Sequence, residues 1–304
     1  MKPAFRAGAV HVRVPATSAN LGPGFDALGL ALDLYDDVVA RIADDGLLVD
    51  VAGEGESLSR DESHLVVRAM RAAFEWLGGQ PRGLELSCAN RIPHGRGLGS
   101  SAAAIVGGLL LARALVVGGD DALTDADVLA LASRLESHPD NVAPALLGGL
   151  TIAWQADGAA GAVRLDCDER LRPVLFIPPF EASTEQGRGL LPGTVPHADA
   201  AFSAGRAALL VAALTGQPQH LLTATEDRLH QQYRAPALLE TAALIDSLRT
   251  AGLPAVISGA GPTVLVLARD QREVDRSLAQ QPAQWRALQL DVAAHGGHIV
   301  PQAR

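Results

Sequence analysis

The sequence predicts an α+β protein built in two units, and three observations predict it. Segments with strand alternation and segments with helical spacing both occur, but without the regular alternation a doubly wound parallel sheet requires. At 304 residues the chain is long for one domain, since domains commonly hold ~100–200 residues. The pattern also restarts after an Ala/Gly-rich turn near residues 155–172, so the units are expected over residues 1–160 and 161–304. Apolar residues make up 48% and charged residues 19%, which excludes a disordered chain. Aromatics are only 4%, so the cores must be built from Ala, Val, Leu and Ile.

Residues 10–14 alternate apolar and polar side chains, as a half-buried strand does. Residues 28–42 are mostly apolar and run into Asp44-Asp45-Gly46, which predicts one or two strands and a turn. Residues 47–51 read as a further strand. Ser63 is placed to cap a helix over 64–77, where Val66, Met70, Ala73 and Leu77 recur at helical spacing and Gly78-Gly79 follows. Residues 84–88 are strand-like. A glycine-rich loop then precedes a long apolar helix from Ser100 to about residue 117. Gly107 and Gly108 inside it cost ~1 kcal/mol each relative to Ala, which close packing would offset. Thr124 and Asp127 have the spacing of a capping box for a helix reaching Ser137.

Residues 150–154 and 163–167 read as strands, and 174–177 as a strand ended by Pro178-Pro179. Helices are expected near 184–190, 197–214 and 236–251. Residues 254–258 and 263–268 form two strands around Gly259-Ala260-Gly261-Pro262. A polar helix over 270–281 and a strand over 288–292 close the pattern.

Composition narrows the function. A net charge of −9 and a pI of about 5.4 argue against a nucleic-acid partner, which needs a basic face. Of 25 basic residues only Lys2 is a lysine, so a Walker A loop, a protein-kinase strand lysine and a Schiff-base lysine are all excluded. Cys88 and Cys167 lie far apart, with neither metal nor redox spacing, and read as buried thiols of a reducing compartment. The longest apolar run, residues 102–112, falls short of the ~20 residues of a membrane helix. A soluble cytoplasmic protein with no membrane partner is expected.

The segment with most chemical content is Pro93-His94-Gly95-Arg96-Gly97-Leu98-Gly99, followed by Ser100-Ser101-Ala102-Ala103. Alternating glycines let a backbone turn tightly and direct its N–H groups to one place, and a helix start adds its positive dipole end. That combination suits phosphate. Without lysine, a triphosphate here must be neutralised by Mg²⁺, main-chain dipoles and Arg96. Glu136-Ser137-His138-Pro139-Asp140-Asn141 stands at an expected helix end, where Glu136 could join Ser100 or Ser101 around Mg²⁺; a solvated helix terminus is the plainer alternative. Residues 15–26 form a polar, turn-rich loop containing Asn20 and Asp26. Thr184 and Arg188 share a face if that stretch is helical. Arg234 alone reads as solvated surface, and residues 258–263 as a plain turn.

Taken together these segments resemble one family. Pro93-x-Gly-x-Gly-Leu-Gly-Ser-Ser-Ala-Ala is similar to the phosphate loop of the GHMP small-molecule kinases, and residues 258–263 to their C-terminal glycine motif. Residues 16–32, 138–149 and 183–192 resemble the homoserine kinase branch in particular. The likeness spans nearly the whole chain, in order.

The resemblance implies an N-terminal α+β domain with a left-handed βαβ unit, a ferredoxin-like C-terminal domain, and ATP and acceptor bound between them. It implies ATP-dependent phosphorylation of L-homoserine, a step toward threonine. A related kinase acting on another small alcohol, such as a mevalonate-type substrate, is the alternative. Residues 93–103 would hold ATP, and Ser101 with Glu136 would hold Mg²⁺. Asn20, Asp26 and Asp140 would meet the substrate's amino end, and Arg188 and Arg234 its carboxylate. Asn141 and Thr184, with Arg188, would line the reacting groups. Asn141 stands where the mevalonate kinase branch has an aspartate, so catalysis without a strong side-chain base is expected. A homodimer is common among such kinases. Three residues depart from the family pattern: Ser137 replaces Gly, His64 replaces an Asn near the adenine, and His94 replaces an apolar residue.

Overall fold

A computed structural model describes residues 3–156 and 158–301, and the backbone alone of Thr184. Two sheets organise it. The first contains β1 (Val10–Ala19), β2 (Leu28–Ala43), β3 (Gly46–Gly53), β4 (Gly83–Asn90), β5 (Leu150–Ala156), β6 (Ala159–Leu165) and the two-residue β11 (His298–Ile299). Its path runs β11-β1-β2-β4-β3, with β5 pairing both β2 and β6. The sixteen-residue β2 serves two neighbours: residues 28–30 pair with β5 and residues 37–43 with β4. β3 and β4 run parallel, joined through helix α1 (Leu65–Trp76) in a βαβ unit.

Helices α2 (Ser100–Leu115), α3 (Gly119–Ala122), α4 (Asp125–Glu136) and α5 (Pro139–Leu147) follow β4. α2 is apolar on every side because it lies at the centre, between the sheet and its neighbouring helices. The glycine pair has the packing role expected of it. A Cβ at Gly107 would sit 3.0 Å from Val38 Cγ2, and one at Gly108 only 2.5 Å from the Val66 carbonyl of α1.

The second sheet contains β7 (Arg172–Ile177), β8 (Ala255–Ile257), β9 (Val264–Ala268) and β10 (Arg286–Gln289), all antiparallel in the order β10-β7-β9-β8. α6 (Thr184–Gly189), α7 (His197–Thr215), α8 (Leu221–Ala224), α9 (Gln231–Arg234) and α10 (Leu239–Thr250) lie between β7 and β8. α11 (Gln271–Leu278) lies between β9 and β10. Taken as βαββαβ, this is the ferredoxin-like strand order that the family resemblance implies. A second core fills the space between this sheet, α10 and α11.

α7 is long and apolar enough to cross a membrane by length and composition. It packs instead beside α8, and its charges are paired: Arg206 with Glu226 at 2.8 Å and Asp199 with Arg228 at 3.2 Å.

Several expectations shift. The first strand continues to Ala19, with an irregularity between Pro15 and Ala16, so only residues 20–27 are loop. α1 begins one residue later than expected: His64 occupies the N-cap position, because Ser63 Oγ donates to Asp61 instead. The boundary set at residues 160/161 falls inside β6. The Ala/Gly turn there closes the β5–β6 hairpin, and the chain changes sheet between Leu165 and Arg172. The last strand lies at 286–289 rather than 288–292, because from Asp291 onward the chain returns to β2 and β1.

Candidate functional site

The phosphate-like loop has the geometry its glycines suggest. Gly95, Gly97 and Gly99 adopt φ of 64°, 70° and 69°, the left-handed region. A side chain would also collide there: a Cβ on Gly97 would lie 2.2 Å from the Ser258 carbonyl, and one on Gly99 1.9 Å from Thr17 Oγ1. No side chain caps α2 among the described residues. Across residues 97–102 no main-chain N–H donates to another described group of the protein. Such a row of unpaired donors, ending on a helix N-terminus, is a binding surface for an anion.

Two cavities meet at Ser100 and Ser101. One, of 270 Å³, is mainly apolar. Val38, Leu65, Val66, Ala103 and Ala104 form walls, and Asp36, His64, Asn90 and His94 supply polar groups. His64 is 5% exposed, and neither ring nitrogen has a partner among the described residues. Burial, with His94 nearby, pushes its pKa down, which favours the neutral ring. Asp36 accepts from the main-chain N–H groups of Arg91 (2.6 Å) and Ile92 (2.9 Å); burial raises its pKa to about 6.

The other cavity, of 300 Å³, is polar. Asn20, residues 95–101, Glu136, His138, Asp140, Asn141, Ser183, Arg188 and Arg234 line it, so side chains far apart in the chain converge. Glu136 ends α4, Ser137 turns the chain at φ 75°, and Pro139 opens α5. The reading of residues 136–141 as one helix end is incomplete, because they join two helices; Pro139 and Asp140 are buried, Glu136, His138 and Asn141 half-buried and Ser137 exposed. Ser101 Oγ donates to Glu136 Oε1 at 2.7 Å, and burial raises the pKa of that carboxyl. Asp140 is 3% exposed; burial first, and then Asp26, raise its pKa to about 7. Asn141 Oδ1 accepts from Thr17 Oγ1 at 2.8 Å, which leaves its Nδ2 as a donor.

Arg188, on α6, pairs with Asp26 through both Nη atoms (2.5 and 3.2 Å), while its Nε is buried without a partner among the described residues. Arg234 is 1% exposed, which overturns its reading as solvated surface. Its Nε donates to the Gly187 carbonyl, and its Nη1 to the Gly259 carbonyl (3.1 Å) and His230 Nδ1 (3.0 Å). Arginine only donates, so His230 Nδ1 accepts, and Nε2 carries the proton given to the Gly22 carbonyl at 2.7 Å. Both arginines lie 5.6 Å from the Phe25 ring centre, and His230 stacks on that ring.

Residues 258–263 are more than a turn. Ser258 Oγ donates to the Gly97 carbonyl (2.6 Å), and the Gly259 carbonyl accepts from Asn20 Nδ2 (2.9 Å). Asn20 Oδ1 in turn accepts from the Asp26 N–H.

Residues 64–149 match the family model of the GHMP kinases N terminal domain, and residues 207–286 that of the GHMP kinases C terminal domain. The homoserine kinase of Streptomyces avermitilis is 61% identical over 302 residues, 99% of each chain. That of Streptomyces coelicolor is 61% identical over 99% of this chain and 97% of its own. The chain belongs to the homoserine kinase branch of the GHMP kinases. A crystal structure of homoserine kinase from Cytophaga hutchinsonii superimposes with a TM-score of 0.84 at 26% identity, covering 98% of each chain.

As a GHMP kinase, the protein brings most of its expected site residues to one cavity. Ala103 lines the apolar cavity, and Asp26 pairs with Arg188 without lining the polar one. Pro93 and Ala102 are buried beneath the loop, and His94 faces the apolar cavity instead. The side chain of Thr184 lies outside the described residues. Arg96, expected to neutralise phosphate, directs its donors to protein acceptors: the carbonyls of His94, Pro178 and Pro179, and Glu181. Sequence reasoning missed Thr17, Phe25, Asp36 and His230 as site residues. The His230 to Arg234 spacing, four residues on a helix, was the available signal for one of them.

Proposed function

We propose that the protein transfers the γ-phosphoryl group of ATP to the hydroxyl of L-homoserine, giving O-phospho-L-homoserine. One observation carries the reading. A row of unpaired main-chain donors borders a cavity that holds both carboxylates and arginines, the complement of a zwitterion. The apolar cavity is suited to a nucleoside, and the loop at its end to the triphosphate.

The amino acid's ammonium would face Asp26 and Asp140, with one Asn20 Oδ1 lone pair still available. Its carboxylate would take the unpartnered Nε of Arg188 and the Nη2 edge of Arg234, where the planar fork favours Arg over Lys. Asn141 Nδ2 would orient the attacking hydroxyl. No carboxylate stands at that position to remove a proton. The reaction then rests on in-line placement and charge neutralisation, which suffice for a loose phosphoryl-transfer transition state.

One carboxylate, one hydroxyl and the phosphate oxygens fit a hard cation. Ser101 and Glu136 would hold Mg²⁺, which when bound neutralises charge on the phosphates. Burial already disfavours the Glu136 carboxylate, so a cation there would relieve that cost.

A mevalonate-type alcohol would give the arginines a carboxylate but leave Asp26 and Asp140 without an ammonium. Coupled ADP-release assays with each acceptor decide. Turnover with L-homoserine and none with mevalonate supports the proposal; the reverse refutes it.

A further inference from the structure

Arg96 has the position of a phosphate ligand and the bonding of a clasp. Its Nε donates to the Pro178 carbonyl at 3.0 Å, Nη2 to the Pro179 carbonyl at 2.9 Å, and Nη1 to the His94 carbonyl at 2.6 Å. Nη1 also pairs with the largely exposed Glu181 at 3.3 Å. Every nitrogen of the guanidinium is therefore engaged by the protein. Beside it, the Ala182 N–H donates to the Gly95 carbonyl at 2.9 Å. The segment held this way runs directly into Ser183, which caps α6 by accepting from the Gln186 N–H, and α6 carries Arg188. The far end of α6 is fixed by Arg234, through the Gly187 carbonyl, and by Asp26.

We infer that Arg96 is a positioning residue that couples the nucleotide loop to the acceptor-binding helix, so that each substrate tightens binding of the other. This rests on the assignment of ATP to the loop and L-homoserine to the polar cavity. Triphosphate oxygens bound by the loop amides hold Gly95, Gly97 and Gly99 in their left-handed conformations. The Arg96 fork and the Gly95–Ala182 bond then hold residues 178–183, and with them the start of α6. Linkage makes the effect reciprocal: whatever factor ATP gives homoserine, homoserine gives ATP.

Calorimetric titration of L-homoserine, with and without a nonhydrolysable ATP analogue and Mg²⁺, tests it. The wild-type Kd should fall at least about fivefold with the analogue, the low end of ordinary coupling. In Arg96→Met the ratio should approach one while each ligand still binds alone. Arg96→Lys should behave like Arg96→Met, because an ammonium keeps the charge but cannot reach three carbonyls. Lys restoring nucleotide affinity and coupling would assign Arg96 to the phosphates and overturn the clasp. So would a wild-type ratio of one, or an unchanged ratio in both variants. Wild-type protein that binds neither ligand would instead overturn the functional reading itself. If the variants melt below assay temperature, amide hydrogen exchange on the wild type decides. The analogue alone should slow exchange over residues 182–190, and unchanged exchange there overturns the proposal.

Discussion

Arg188 on α6, which lines the polar cavity, and Asp26 in the loop after β1 form an ion pair, 162 positions apart in the chain. Each is also the group expected at one end of the substrate. The pair keeps an arginine and a carboxylate from standing uncompensated in a half-buried site. A zwitterion adds a second partner to each member of the pair, its carboxylate through Arg188 Nε and its ammonium at Asp26, so the pair preorganises the cavity for a ligand carrying both charges.

Removing either partner should therefore act on the acceptor and not on ATP. Arg188→Met and Asp26→Asn are each expected to lower kcat/KM for L-homoserine by about 10–100-fold, the range for a lost hydrogen bond to a charged group. KM for ATP, measured at saturating homoserine, should stay unchanged. Steady-state kinetics check this; a loss confined to KM for ATP contradicts it.

Asp140 gives the protein a pH dependence. Its folded-state pKa is raised, from 3.8 to about 7, so the fold favours the protonated form. The stability this group contributes is complete below its unfolded pKa and is lost as pH rises through about 7. Asp140→Asn, which mimics the neutral form, should raise the Tm at pH 8 by about 2–4 °C and give no gain at pH 4. A substrate ammonium favours the carboxylate, so homoserine should bind more tightly as pH rises from 6 to 8 and release protons below pH 7. Melts at the two pH values and calorimetry in buffers of differing ionisation enthalpy measure both effects. A lower Tm for Asp140→Asn at pH 8 would contradict the account.

Asn141 tests the absence of a base. A true general base contributes about 10²–10⁴ in rate. With Oδ1 held by Thr17, Asn141 offers only a donor, so Asn141→Ala should cost about tenfold in kcat, the worth of one positioning hydrogen bond. The shape of the pH–rate profile should not change. A loss near the upper end of that base range, accompanied by disappearance of an acidic limb, would show that Asn141 holds a titrating base in place and would contradict the account.

His64 should show opposite effects on stability and binding. Both ring nitrogens are buried without a partner among the described residues, and a buried polar group left unpaired costs about 1–3 kcal/mol. A base edge with one donor and one acceptor would satisfy both. His64→Leu should therefore raise the Tm, yet also raise KM for ATP about tenfold with KM for homoserine unchanged. An unaltered KM for ATP would place the base elsewhere.

Much of the site was legible in sequence because its signals are local. Three alternating glycines alone fit a plain turn, but with Ser100 and Ser101 at the helix start they point to phosphate, and Thr124 with Asp127 forms the capping box its spacing implies. What was not legible depends on distant partners. Arg234 looks like surface until its neighbour His230 and, from distant segments, Phe25 and the Gly259 carbonyl enclose it. α5 was missed because Pro139 and Pro144 mask its nine residues. Arg96 has a phosphate ligand's position in sequence, and only the fold shows Pro178 and Pro179 beside it. β11, at two residues, is too short for any periodicity.

The most direct test is a crystal structure with a nonhydrolysable ATP analogue, Mg²⁺ and L-homoserine bound together. The β- and γ-phosphate oxygens should accept from main-chain amides within residues 95–102, and the homoserine hydroxyl should lie in line with the γ-phosphorus. The ammonium should face Asp26 and Asp140, and the carboxylate Arg188 and Arg234. A triphosphate lying away from the loop, or an acceptor bound with its charges reversed, would contradict the account.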